Sequence, residues 1–144
     1  MKTLFNLAEK WLNVDFRWHG FNRFGCDCFG LIVGILYENH IADDKFLKKF
    51  QQYKYGTNLE KVNFKQIIVD INNYFKTTEN LIDCDVFIIK CKNSPIHFVI
   101  YEKNKQNGRI IHITQSVGKV FMTNFNKDLN IIKMFKLKEN LKIN

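Results

Sequence analysis

Apolar residues recur at three- and four-residue steps over the first part of the chain. Leu4, Leu7, Ala8, Trp11 and Leu12 form one helical stripe behind Thr3, whose hydroxyl suits an N-cap. Leu31, Ile32, Ile35 and Leu36 repeat the pattern and predict a helix over 28–39 with Asp27 as its cap. Residues 43–52 (DDKFLKKFQQ) and 59–76, centred on FKQIIVDINNYF, read as two further helices, each with a one-sided apolar stripe. Between the first two helices, DFRWHGFNRFGCD (15–27) is aromatic, basic and punctuated by glycine, and reads as a loop. From residue 84 the period changes. CDVFIIKC, IHFVIYEK, RIIHITQS, KVFMTNF and NIIKMFKL are short β-branched and aromatic runs separated by turn-rich NSP, KNKQNG, VG and NKDL. Helices first and an antiparallel meander second is an α+β order.

Composition adds a size. At 144 residues, with 46% hydrophobic residues and 14 Phe, the chain can bury a core and reads as one domain spanning 1–144. One Pro, seven Gly, no low-complexity block and no repeat leave no linker to propose. Charges at Lys2, Glu9, Lys10 and Asp15 interrupt the apolar core a secretory signal needs, and no run approaches the roughly 20 apolar residues of a membrane span. The expectation is a chain made in the cytoplasm without a leader and with no membrane partner.

The net charge of +8 is unevenly placed: residues 1–88 hold 11 basic and 11 acidic side chains, residues 89–144 hold 11 and three. That asymmetry suits a surface meeting a polyanion, although 19 of the 22 cations are Lys, which mostly coat solvated faces. The three arginines are scattered and no nucleic-acid-binding motif occurs, so no nucleic-acid partner is expected. Four cysteines, Cys26, Cys28, Cys84 and Cys91, form an even set, yet a reducing compartment disfavours disulfides. Their C-x-C and C-x6-C spacings are not those of zinc knuckles, and no metal is expected.

One stretch, GCDCFGLIVGIL (25–36), raises a chemical question, because it puts a thiol where a loop becomes a helix. Cys28 falls in the first helical turn, where free backbone N–H groups and the helix dipole favour a thiolate, while neighbouring Asp27 opposes it. An imidazole base would complete a nucleophile, from His19, His40, His97 or His112. Strand alternation puts His97 on a face with Val99 and Tyr101, and His112 on a face with Thr114, so neighbouring strands can bring these two rings side by side. By spacing alone, a strand histidine is more often a hydrogen-bonded core residue, and a Cys before an apolar run is more often packing.

FRWHGFNRFGCDCFGLIVGILYE resembles the first motif of the NlpC/P60 family of cysteine peptidases. CDVFII resembles that family's G-D-apolar strand, HFVIY its H-V-G-I-Y strand, and RIIHITQSVGKV the strand carrying its third polar residue. The matches run in order over residues 3–123, and the opening of the first helix is most similar to the branch found as a cell-wall peptidase in phages and gene-transfer agents. The resemblance implies a papain-like fold, a cofactor-free thiol peptidase acting on peptidoglycan stem peptides, and delivery by a phage-like particle or lysis, with tail proteins as partners. It makes Cys28 the nucleophile, His97 the base and His112 the group orienting His97, with Asp27, Phe16 and His19 in the oxyanion or substrate-binding region. Phe16 stands where the family often has a hydroxyl-donating Tyr, Cys84 replaces the Gly of G-D, and Val99 the Gly after the histidine. His19, beside Gly20, is the candidate to replace the missing donor. The other reading is a noncatalytic phage-tail or wall-binding module that keeps the fold.

Overall fold

The computed structural model describes residues 2–53, 64–90 and 96–141. Within them the chain is a mixed α/β structure with four helices and a six-stranded antiparallel sheet. The helices are α1 (Leu4–Glu9), α2 (Cys28–Glu38), α3 (Asp44–Gln52) and α4 (Phe64–Ile71). None of them is long and apolar enough to cross a membrane.

The polar caps act as expected. The Thr3 hydroxyl accepts the Asn6 N–H at 3.2 Å, while the Asn6 side chain accepts the Thr3 N–H at 2.9 Å, a reciprocal box that starts α1. Asp43 caps α3 through the Phe46 N–H at 2.9 Å. Two boundaries differ from the sequence pattern. The stripe reaching Leu12 continues past Glu9 as turns, closed by Asn13 in a left-handed conformation (φ 75°). The helix expected over 59–76 ends at Ile71; its residues 59–63 lie outside the described ones. Phe75 instead enters strand β3 (Phe75–Thr77), opposite Leu137, and packs on Phe135 at 6.5 Å. A phenylalanine that fits a helical stripe fits a strand equally well, and pairing decided it.

The 15–27 stretch also departs from its reading as a loop, since β1 (Phe21–Asn22) and β2 (Gly25–Cys26) form a small hairpin leading into α2. The main sheet comprises β3, β4 (Val86–Ile89), β5 (His97–Tyr101), β6 (Arg109–Ile113), β7 (Val120–Asn124) and β8 (Ile131–Leu137). Its order is β3-β8-β4-β5-β6-β7. Only β4 to β7 form the expected meander; β8 returns to pair with β4, so that Val86 lies opposite both Ile100 and Phe135. Cys91, at the end of the predicted CDVFIIKC run, lies outside the described residues.

The sheet has two apolar faces. Phe98, Ile100, Ile111 and Ile113 join α1, α2 and α3 in the larger core, and Phe29 of α2 meets Phe98 at 5.0 Å. Phe87, Val99, Tyr101 and Ile110 face the other way, under Phe125, Leu129 and Met134. Two buried carboxylates anchor these layers. Asp85 accepts the Leu137 N–H at 2.7 Å and an ion pair from Lys103 at 3.1 Å. Asp70, 2% exposed, accepts from the Tyr53 hydroxyl, the Gln66 amide at 3.0 Å and the Lys49 ammonium at 3.5 Å. Burial and then Asp70 push the Tyr53 hydroxyl well above its usual range, so it stays a donor. Tyr53→Phe removes one partner of a buried anion and is expected to destabilise the chain by about 1–3 kcal/mol in urea unfolding.

Candidate active site

The start of α2 is built by close backbone contact. A Cβ on Gly30 would lie 1.7 Å from the Gly20 carbonyl oxygen, and one on Gly20 would lie 2.3 Å from that of Gly25. Only glycine lets the 15–20 segment lie against the helix start. Phe16 bridges Cys26 in parallel fashion, and the Arg17 N–H donates to the Cys26 carbonyl at 3.0 Å. Asp27 then caps α2. One carboxylate oxygen accepts the Gly30 N–H at 2.7 Å and the other the His19 N–H at 2.8 Å.

Cys28 is the first residue of α2 and is half-buried. Burial, and secondly Asp27, push its thiol up to about 12; the N–H groups of Phe98, Phe29 and Cys28 itself act the other way, favouring the anion. The expected thiolate at a helix start is therefore outweighed by burial, and the resting group is a neutral thiol.

The Phe98 N–H reaches the sulfur because of the sheet register. The Tyr101 N–H bonds to the Asp85 carbonyl on the β4 side, so by alternation the Phe98 N–H points toward β6. The β5–β6 ladder stops at Ile100 opposite Ile111, leaving that N–H to Cys28. The sulfur thus lies at the end of β5 that begins with His97, although among the described residues no hydrogen bond joins Cys28 to either histidine ring, and alternation puts His97 on the strand face of Val99 rather than that of Phe98.

His97, 6% exposed, and His112, half-buried on β6, point to one face of the sheet, and Nε2 of His97 is 2.8 Å from Nδ1 of His112. Continuing the ladder puts Val99 opposite His112, so the two rings are diagonal neighbours. Burial, and secondly His112, drive the His97 imidazole down to about 3; burial drives His112 down to about 4. Both rings are neutral at pH 7. The ring of Phe121, opposite His112 on β7, lies 4.3 Å from it centroid to centroid.

The other expected positions are placed differently. The His19 ring donates through Nε2 to the Phe50 carbonyl at 2.8 Å and packs on the Phe50 ring at 4.8 Å, which ties the loop to α3. His19 holds a left-handed φ of 61°. Phe16 donates its N–H to the Gly118 carbonyl at 2.8 Å and sets its ring edge-to-face against Trp18 at 4.9 Å. Trp18 Nε1 is the buried side-chain nitrogen or oxygen that, among the described residues, has no hydrogen-bond partner. His40, in a left-handed conformation (φ 58°), follows the Asn39 C-cap at the end of α2 far from Cys28.

Sequence reasoning did not find Phe98 or Phe121. The turn TQSVGK between RIIHI and VFMTN, which pairs 113 with 120, was the available signal for Phe121. Cys26 and Cys84 are buried free thiols that burial also raises to about 12. Among the described residues no three His, Cys, Asp or Glu side chains gather as metal ligands. A cleft of about 470 Å³ lined by Thr77, Glu79, Ile131 and Met134 opens at the β3–β8 edge, where neither Cys28 nor the histidine pair lies. No protein-family model matches the chain, and no curated protein matches it significantly.

Proposed function

We propose that this chain is a cysteine hydrolase of papain-like NlpC/P60 fold that cuts an amide bond in peptidoglycan stem peptides through a thiol acyl-enzyme. The observation that carries the reading is the bond between the His97 and His112 rings, at the end of the strand whose next N–H meets the Cys28 sulfur. A nucleophile, a base and a group orienting that base are what acyl transfer by a thiol requires.

His97 commits Nε2 to His112, so Nδ1 is the nitrogen that takes the thiol proton. For that, the proton between the rings must sit on His97 Nε2 with His112 Nδ1 accepting, and His112 carries its own proton on Nε2. The sulfur then adds to the carbonyl carbon, and the developing oxyanion is met by backbone N–H groups at the start of α2. Collapse expels the amine, which takes the proton from His97, and leaves a thioester. Water, deprotonated by His97, attacks the thioester, releases the carboxylic acid and restores the thiol. No metal or organic cofactor enters. Delivery to the wall by a phage-like particle, or by lysis, fits the basic half of the chain and an anionic wall polymer.

Mass spectrometry of defined muropeptides incubated with the protein tests this. Cleavage by the native chain and none by Cys28→Ala, with unchanged circular dichroism, is expected; equal cleavage by both would end the proposal. A second reading, a wall-binding module without catalysis, is favoured by the high thiol pKa and by the lack of a hydroxyl on Phe16. It predicts binding to purified sacculi with no new peptide ends.

A further inference from the structure

We propose that Phe121 is a positioning residue that fixes the His112 imidazole with Nδ1 turned toward His97. Its catalytic consequence rests on the function proposed above; its structural content does not.

Among the described residues His112 has one polar tether, the 2.8 Å bond to His97, and one bond leaves a ring free to swing about it. The second constraint is Phe121. It is the direct cross-strand partner of His112 in the β6–β7 ladder, and its ring lies 4.3 Å away, inclined by 40°. Cross-strand neighbours on one face are the closest contacts a sheet offers, and an offset aromatic pair at this separation is attractive. The ring is also placed to exclude water. His112 is only half-buried on a strand next to the sheet edge, yet burial is what lowers its affinity for a proton. His97 on β5 is the titratable group bonded to it, and Lys119 lies one residue before β7; Phe121 brings no charge, so its effect on His112 is one of contact and desolvation.

The ring contact Phe121 makes among the described residues is with His112, and Phe121 acts through that ring. It stands on a strand at the sheet edge and is half-buried, so truncation spares the main core.

Nitrogen-15 NMR of the histidine rings, recorded against pH on the intact native chain and on Phe121→Ala, Phe121→Leu and Phe121→Tyr, tests the proposal. In Phe121→Ala the His112 titration should move up from about 4 by about one unit or more, and its preference for one tautomer should weaken. Phe121→Tyr, which keeps the ring, should restore both; Phe121→Leu, which keeps bulk but no aromatic face, should restore the titration more than the tautomer. Muropeptide kinetics should show kcat lowered about tenfold in Phe121→Ala with KM little changed. An unaltered His112 titration and tautomer in Phe121→Ala, or in Phe121→Leu should the alanine variant not fold, overturns the proposal. If the native chain cleaves nothing, the function fails while the NMR result still decides the role of Phe121; if it cleaves and the NMR signals do not move, only the role of Phe121 fails.

Discussion

His97→Ala is expected to lower kcat for muropeptide cleavage by about 10³-fold or more while the chain stays folded. The magnitude follows from the state of the nucleophile. With burial and Asp27 holding the Cys28 thiol up to about 12, the thiolate is scarce at neutral pH, so the proton must leave as the sulfur attacks. In the proposed reaction His97 is the base at that end of β5. On that proposal His112 does not substitute, because its ring lies a row away and its Nδ1 is engaged with Nε2 of His97. The fold should survive, since His97 is a desolvated neutral ring at a strand end and its loss leaves a small cavity rather than an unpaired charge. His112→Asn should be milder than His112→Ala, by about tenfold, because an amide oxygen can still accept from His97 Nε2. Native kcat in His97→Ala with muropeptide as substrate would remove His97 from the chemistry.

Neutral rings and a neutral thiol define how such a site works. An ion pair formed in advance would need the thiol and the imidazole to cross in pKa, and here they lie far apart, near 12 and near 3. Burial sets both, since it disfavours any charge. The N–H groups of Phe98, Phe29 and Cys28 are arranged the other way, ready for negative charge once it forms. In the proposed reaction that arrangement stabilises charge as it develops rather than beforehand.

The helical stripes, the cap of α2 and the alternation of the β5 and β6 runs were legible in the sequence because each is a local pattern. His97 and His112 could be put on one face of neighbouring strands from alternation alone. Their diagonal offset could not, because it depends on where the β5–β6 ladder stops. Phe75 was misread as helical because one apolar residue fits both periods and only pairing with Leu137, far along the chain, separates them. The return of β8 to β4 is non-local in the same way. His19 looked like a free loop donor, whereas its ring is committed to a carbonyl of α3, an element 31 residues away. The thiol was misjudged for a related reason: a helix start is visible in sequence, but the burial that outweighs it comes from the tertiary fold.

Acid is expected to unfold the chain earlier than its carboxylates alone would dictate. In the unfolded chain both histidines titrate near 6.5, while in the native chain burial lowers them to about 3 and about 4. As pH falls below 6.5 the unfolded state therefore binds protons that the native state refuses, and stability falls with it, levelling only once the native rings also protonate near pH 4 to 3. Each unit of depression corresponds to about 1.4 kcal/mol, so the pair costs several kcal/mol over that window, against a total stability of about 5–15 kcal/mol. Between pH 6.5 and 4.5 few carboxylates titrate, which isolates the histidine contribution. Urea midpoints measured across that range should drop steeply in the native chain and stay nearly level in the double variant His97→Gln, His112→Gln. Parallel midpoint curves for the two proteins would mean that the rings are not held neutral by the fold.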